Sequence, residues 1–406
     1  MPHLNHLPTR SFRVLTFFHS FALGGCERDA MRLVRAWREG GVDARIAVGR
    51  CVGPMADEAE GLPIYPIAKP RSITRHFETV WMMARLPRII ARFRPDLIVV
   101  VSNNHGCIAI ALRALLGAAC PPLVLRVSND LRRDDLKPWA RLVHRIGLRA
   151  QARAYDRLIA MAPPARAEIA AEMAVDRDRV TVINNASLTQ ASFDRLATAR
   201  DGANRNHRGR NFLAVGRLAP QKNFGLLLDA FALIARGDDR LTIVGEGPLR
   251  DSLVRKAIRL GIGNQVFLPG YRTGIEDWLA HADAFVLSSD FEGLGNVVVE
   301  ALAAGVPIVA TDCCVNMASL LEGAGLVVPT LEASAFARAM DTVAHVHVDV
   351  AAMRARARSF TVEAATPQWQ ALFDGFRKAN DAAIRPTHLT GVGIQLADTT
   401  NWPRAT

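Results

Sequence analysis

The stretch that most constrains this chain is residues 286–312, VLSSDFEGLGNVVVEALAAGVPIVATD. It reads as a buried strand (Val286, Leu287), a polar loop (Ser288–Gly295), a short amphipathic helix (Asn296–Ala304) and a second buried strand (Pro307–Thr311). That order is a βαβ crossover, which belongs to an α/β fold with a parallel sheet. Glu292 stands in the loop, and Glu300 lies eight residues on, inside the helix. Gly293 and Gly295 strip side chains from the loop, so the first backbone N–H groups of the helix can approach a ligand closely. Those groups lack helical partners and the helix dipole adds partial positive charge, which together make an anion site. Carboxylates beside such a site are poor phosphate ligands but good acceptors for sugar hydroxyls. The pattern therefore suits a ligand with phosphate in the middle and polyols on either side. An ordinary crossover with one surface Glu and one helix Glu is the plainer alternative.

At 406 residues, half of them hydrophobic, the chain exceeds one typical core and fits two domains. No uninterrupted apolar run reaches the ~18 residues of a transmembrane helix. The best candidate, Leu97–Leu116, is broken by Ser102-Asn103-Asn104-His105 and by Arg113. Cys26, Cys51, Cys107, Cys120, Cys313 and Cys314 show neither metal-ligand spacing nor a disulfide framework, which points to a reducing cytoplasm. The net charge of +11 is unevenly placed: residues 1–200 carry 30 Lys and Arg against 18 Asp and Glu, and the remainder 20 against 21. A basic first half suggests an anionic surface or acceptor bound by one domain only. Nucleic acid is not expected, because no helix-turn-helix, finger or aromatic RNA-binding pattern is present.

At the N-terminus, Arg10, Arg13 and VLTFFHSFALGGC imitate a secretory signal. The apolar run is interrupted by His19 and Ser20 and passes directly into helical periodicity from Glu27. The preferred reading is strand Phe12–Phe18, glycine turn Gly24-Gly25 and helix Glu27–Glu39, the opening unit of a Rossmann-like domain. Alternation continues with strands at 44–48, 64–65 and 96–101, a helix over 73–93, a strand at 122–127 and a long helix over about 139–160. Arg141, Arg145, Arg149 and Arg153 recur every four residues along that last helix, with Arg132, Arg133 and Lys137 before it. This ridge is either a solvated face or a contact for phosphate-bearing lipid. Asp176-x-Asp178 has the spacing of a metal-binding pair but falls between helix and strand, where a turn is expected. Residues 195–210, polar and nonperiodic, read as an interdomain linker.

The second half opens with strand Asn211–Val215 and the loop Gly216-Arg217-Leu218-Ala219-Pro220-Gln221-Lys222-Asn223. Arg217 offers a planar fork and Lys222 a point charge, the groups that steady a departing diphosphate where no metal is evident. Further turns follow at Gly245-Glu246-Gly247-Pro248 and Pro269-Gly270-Tyr271-Arg272.

The run F-E-G-L-G-N-x-x-x-E-A-x-A-x-G-x-P-[IV]-[IV]-A-T resembles the Glu-x7-Glu signature of the retaining, family-four glycosyltransferases, which have two facing Rossmann-like domains (the GT-B fold). Gly24-Gly25-Cys26-Glu27-Arg28 resembles that family's Gly-Gly-x-Glu-Arg turn, and 216–223 its Gly-Arg-Leu-x-x-x-Lys-[GN] loop. The resemblance covers roughly residues 10–380 and divides the chain into an acceptor-side domain (1–194), linker (195–210), nucleotide-sugar domain (211–360), a helix crossing back (361–385) and a poorly ordered tail (386–406).

The resemblance implies transfer of a sugar, with retention, from a nucleoside diphosphate donor such as a UDP-sugar. Glu292 would contact donor sugar hydroxyls and Glu300 the ribose. Backbone N–H groups around Gly293, Leu294, Gly295, Asn296 and Val297 would hold the diphosphate, with Arg217 and Lys222. Gly24 and Gly25 would face phosphate and acceptor, Gly245 and Gly247 the nucleotide, and Tyr271 and Arg272 the base. Relatives carry a His after the fifth strand; this chain has Ser128-Asn129-Asp130 there, and His105 is the nearest substitute. After Asp312 relatives continue with Gly-Gly and a Glu, whereas this chain has Cys313-Cys314-Val315-Asn316-Met317. No metal or other cofactor is expected. The expected acceptor is a lipid-linked glycan for cell-surface polysaccharide, reached by a cytoplasmic protein held peripherally on the anionic inner face of the plasma membrane through its basic first domain. A nucleotide-sugar epimerase of the same architecture and a non-catalytic nucleotide-sugar binder are the alternatives.

Overall fold

The computed structural model describes residues 10–22, 24–67, 77–133, 136–204, 208–329, 331–343 and 345–384. The chain first runs through β1 (Arg13–Ser20), α1 (Gly25–Glu39), β2 (Asp43–Arg50), β3 (Ile64–Pro66), α2 (Glu78–Phe93), β4 (Leu97–Val100) and α3 (Gly106–Leu116). β5 (Leu123–Arg126), α4 (Pro138–Ala152), β6 (Arg157–Ala160), α5 (Ala165–Met173) and β7 (Val180–Val182) complete the first lobe. Its seven-stranded sheet has the order β3-β2-β1-β4-β5-β6-β7, with every pair parallel. Every residue of β4 and β5 is buried, as strands covered on both faces require. α2, α3, α4 and α5 pack side by side on one face of this sheet, and α1 covers the other.

α6 (Gln190–Gly202) then leads into β8 (Asn211–Val215), α7 (Phe224–Ile234), β9 (Arg240–Val244), α8 (Arg250–Arg259), β10 (Val266–Gly270), α9 (Glu276–His281), β11 (Ala284–Leu287) and α10 (Asn296–Ala304). β12 (Ile308–Thr311), α11 (Met317–Leu321), β13 (Gly325–Val328), α12 (Ala333–Val343), α13 (Val350–Arg358) and α14 (Val362–Ile384) follow. The second sheet has six parallel strands in the order β10-β9-β8-β11-β12-β13. Two parallel-sheet, Rossmann-like lobes therefore face each other. α14 returns to the first lobe, where Trp369 lies 5.0 Å from Trp37 and Phe373 lies 5.7 Å from Phe12, ring centre to ring centre. No helix among the described residues is long and apolar enough to cross a membrane.

Three sequence expectations change. The long helix over 139–160 is two elements, because Arg157, Leu158 and Ile159 pair in register with β5, and Leu158, Ile159 and Ala160 are fully buried in the sheet. The turn between them is pinned by Asp156, whose carboxylate accepts the backbone N–H of Leu123 at 2.7 Å. The helix expected over 73–93 begins at Glu78, and residues 73–76 lie outside the described residues. Residues 190–202 are helical instead of an irregular linker. Thr189 caps that helix by accepting from the Ser192 N–H, and only Phe193, Leu196 and Arg200 turn inward. Arg200 hides the pattern: its guanidinium donates to the Ala280 and Ala282 carbonyls at the end of α9, so a cation occupies a core position. The tail after residue 385 lies outside the described residues.

Candidate active site

The loops that follow β1, β8, β9 and β11 all leave the carboxyl ends of parallel strands, where open α/β sheets gather their ligands. In the second lobe two of these loops are stitched together. Gln221 donates to the Phe291 carbonyl at 2.9 Å, Asn223 to Asp290 at 2.6 Å, and the Ser288 hydroxyl to the Lys222 carbonyl at 2.8 Å. Asn223 sits in the left-handed region (φ 42°) and caps α7 by accepting from the Leu226 N–H. The stitching sets the Lys222 ammonium 2.5 Å from the Glu292 carboxylate, which also accepts the Ser289 hydroxyl at 2.7 Å. Glu292 is buried and Lys222 half-buried. Arg217 is exposed, close enough to Glu27 of the first lobe to lower its proton affinity against the larger opposing effect of burial.

Gly245 and Gly247 have a packing reason: a Cβ would fall 1.9 Å from the Gly216 carbonyl oxygen or 2.5 Å from that of Leu218. Side chains there would push the two loops apart. Gly295 (φ 81°) takes the left-handed conformation that starts α10. Leu294 is buried in the core and Val297 packs against it, so both can meet a ligand only through backbone. Glu300, half-buried on α10, has its carboxyl raised to about 7 by burial, against the pull of Arg32 and Arg28.

The 313–317 loop is a prop. The Glu292 N–H donates to the Cys313 carbonyl at 2.9 Å, and the Asn316 amide donates to the Gly293 carbonyl at 3.0 Å. The Asn316 side-chain oxygen is buried without a partner among the described residues. Asn316 lines a small cavity between the lobes, together with Asn129, Asp130, Glu168, Glu292 and Gly293.

The first lobe meets this site through side chains that sequence reasoning missed. Asn296 donates to Asp29 at 3.0 Å and accepts from Asn185 at 2.8 Å and from the Ser187 hydroxyl at 2.9 Å. Asp29 is paired with buried Arg126 at 3.1 Å. Arg28 spans from Glu58 to the Tyr271 hydroxyl at 3.1 Å, and the Arg133 guanidinium lies 4.3 Å from the centre of the Phe291 ring. The lobes also touch through backbone: a Cβ on Gly293 would fall 1.8 Å from the Ser128 carbonyl oxygen. Gly24 and Gly25 open α1 beside this network, and a Cβ on Gly25 would meet the Asn296 amide at 2.9 Å. Arg126 carried a readable signal, since an Arg inside an all-apolar strand requires a buried acceptor.

Two family models match the chain: "Glycosyl transferase 4-like domain" over residues 24–186 and "Glycosyl transferases group 1" over residues 209–345. The chain belongs to the group 1 glycosyltransferases of GT-B architecture. Among relatives of this group, the lipopolysaccharide core biosynthesis glycosyltransferase LpsD of Rhizobium meliloti is 28% identical over 71% of this chain and 75% of its own. LpsE of the same organism is 34% identical over 32% of this chain and 38% of its own. A Campylobacter jejuni enzyme that adds N-acetylgalactosamine to a diphospho-undecaprenol-linked acceptor is 38% identical over 25% of this chain and 27% of its own. The matches thus span about a quarter to two fifths of the length of the first curated relatives. Anabaena HepE solved with UDP superposes with a TM-score of 0.70 at 19% identity, covering 90% of this chain and 100% of that one, which shows the fold.

Among the site residues of this group 1 chain, His105 stands apart. It is buried against Phe17 and held to about 3 by burial, with the neighbouring His19 adding to the effect. Its Nε2 lies 3.0 Å from Nδ1 of His19, whose Nε2 lies 3.0 Å from the Thr79 hydroxyl. His19, half-buried at the end of β1, thus stands between His105 and Thr79. Arg272 is exposed and donates to its neighbour's carbonyl at 3.0 Å. Asp176 precedes and Asp178 lies within the short turn Arg177–Arg179, with Asp178 exposed and 3.7 Å from Arg166. Among the described residues no group of three or more His, Cys, Asp or Glu is placed to hold a metal ion.

Proposed function

We propose that this chain transfers a sugar from a UDP-sugar to a lipid-linked glycan, with retention, in the assembly of bacterial lipopolysaccharide or another cell-surface polysaccharide. The observation that carries this reading is the Lys222–Glu292 pair, set beside the bare N-terminus of α10 and facing the first lobe. Lys222 and Arg217, with the N–H groups of 293–297, would receive the diphosphate. As Lys222 turns to phosphate, the Glu292 carboxylate is released to accept donor sugar hydroxyls. Glu300 would hold the ribose, a role that requires its ionised form.

In the reaction the acceptor hydroxyl attacks the anomeric carbon from the face that the diphosphate leaves. The bond from that carbon to the phosphate oxygen breaks, and the acceptor proton passes to the departing phosphate. This accounts for a site without an acid–base pair, and no metal or other cofactor enters it. Support comes from HepE, solved with UDP and with UDP-glucose, and from the Campylobacter relative's diphospho-undecaprenol acceptor. The basic first lobe would hold the protein on the anionic cytoplasmic face of the plasma membrane.

The test is nucleoside diphosphate release from a panel of UDP-, GDP- and ADP-sugars with bacterial membranes as acceptor. Release from a UDP-sugar is expected, and Glu292→Gln and Lys222→Ala should each lower it about 10²–10³-fold while circular dichroism stays unchanged. Release that survives both substitutions would overturn the site, and none from any donor would favour a binding protein.

A further inference from the structure

The four-residue spacing of Arg141, Arg145, Arg149 and Arg153 suggests one straight ridge, but each step of four advances about 40° around a helix. The structure shows the result. Arg141 and Arg145 are half-buried, with Arg145 3.1 Å from Glu172 on α5, while Arg149 and Arg153 are exposed. The packed face of α4 is correspondingly polar: besides Leu148 and Ala152 it holds buried Gln151 and half-buried His144. The outward face is apolar. Trp139, Leu142, Val143 and Ile146 are 69, 59, 62 and 59% exposed and fall at i, i+3, i+4 and i+7, a single stripe. The helix is inside out for a soluble protein.

Its setting matters. α4 begins on the carboxyl-edge side of the sheet, so Trp139 stands near the mouth of the cleft. The neighbouring helices of the same layer expose Ile110 and Leu115 from α3, and Val80 from α2 with Phe77 just before it. Lys137, Arg149 and Arg153 are exposed at the two ends of the stripe and make no ion pair among the described residues. An apolar stripe with cations at its ends matches the boundary between acyl chains and anionic headgroups. A protein partner would call for a groove or complementary acidic patch, whereas a bilayer needs only a stripe and cations.

We propose that α4 lies in the headgroup layer of an anionic membrane, with Trp139, Leu142, Val143 and Ile146 inserted and Arg149 and Arg153 against lipid phosphates. This deepens the membrane-acceptor reading above and rests on it for its biological meaning. Inserted in this way, α4 turns the cleft mouth toward the bilayer, so a lipid-held acceptor enters without leaving the membrane.

Vesicle flotation of the full chain tests this, with phosphatidylglycerol vesicles compared with phosphatidylcholine ones. The wild type should float with phosphatidylglycerol, and brominated acyl chains should quench a fluorescence component that Trp139→Phe removes. Leu142→Asp with Ile146→Asp should lower partitioning about tenfold or more, and Arg149→Glu with Arg153→Glu should also lower it. Floating that is unaffected by the aspartates, or no quenching at Trp139, would overturn insertion. A wild-type dimer that the aspartates convert to monomer, without vesicle binding, would assign the stripe to a second copy and overturn it too. Release of UDP on sugar transfer to a short soluble acceptor, assayed without vesicles, separates the two readings. Both aspartates should leave it unchanged, and its absence in the wild type would count against the transferase, not against insertion.

Discussion

α7 in the second lobe and α4 in the first are both helices of a sheet-covering layer, yet they use apolar residues in opposite ways. Of the eleven residues of α7, six are buried, including Phe224, Leu227 and Phe231. Of the fifteen in α4, three are buried, and of its large apolar side chains Trp139, Leu142, Val143 and Ile146 point outward. The ionisable groups divide in the same manner. The second lobe carries little net charge and aims Lys222 and Glu292 at the cleft, whereas the first is basic and buries Arg126 against Asp29 at the lobe contact. Under the function proposed above, the second lobe would receive the donor and the first would meet the membrane.

The largest expected effect follows from this contrast. Phe231→Ala should cost about 3–5 kcal/mol of stability in urea unfolding, and Leu142→Ala less than about 0.5 kcal/mol. Comparable losses would break the comparison. Lys222→Ala removes a cation from the diphosphate position and strands a buried carboxylate. Turnover should fall about 10²–10³-fold in single-turnover assays, with a loss of stability besides; Lys222→Arg should recover part of the stability. Smaller is Asn296→Ala, which takes one partner each from Asp29, Asn185 and Ser187 while Arg126 still holds Asp29, and should cost about 1 kcal/mol. In calorimetry it should separate the melting of the lobes, and a single unchanged transition would show that the network does not couple them.

The smallest effect concerns Glu300. Its folded carboxyl is raised to about 7 from 4.5, so between those values the unfolded chain releases the proton first. Stability should therefore fall as pH rises through that window, while UDP affinity rises because ribose hydroxyls favour the carboxylate. Glu300→Gln should flatten both. Calorimetric UDP titrations at about pH 6 and about pH 8 read the second effect, and equal affinities in the wild type would remove Glu300 from the ribose.

How much of this was legible in the chain depends on whether a feature is local. The strand-loop-helix-strand run at 286–312 and the loop at 216–223 carry their geometry in contiguous residues, so both the fold and the candidate pair Glu292 and Lys222 could be read. The Asp29–Arg126–Asn185–Ser187–Asn296 network draws on four separate segments, and no spacing rule joins them. α6 was hidden because Arg200 fills an inward position, and the α4 stripe because its arginines suggested a wet face where apolar side chains stand. His105 looked like a cleft residue by its place after β4, but burial beside Phe17 turned it inward.

Gly293 has a wider meaning. Its missing side chain lets the Glu292 loop rest directly on the Ser128 carbonyl, so the two halves of the molecule meet with nothing thicker than a hydrogen between them. Any larger residue there is a doorstop. A chain carrying Gly293→Ala would be held ajar at this point, its halves unable to settle on each other as they do here.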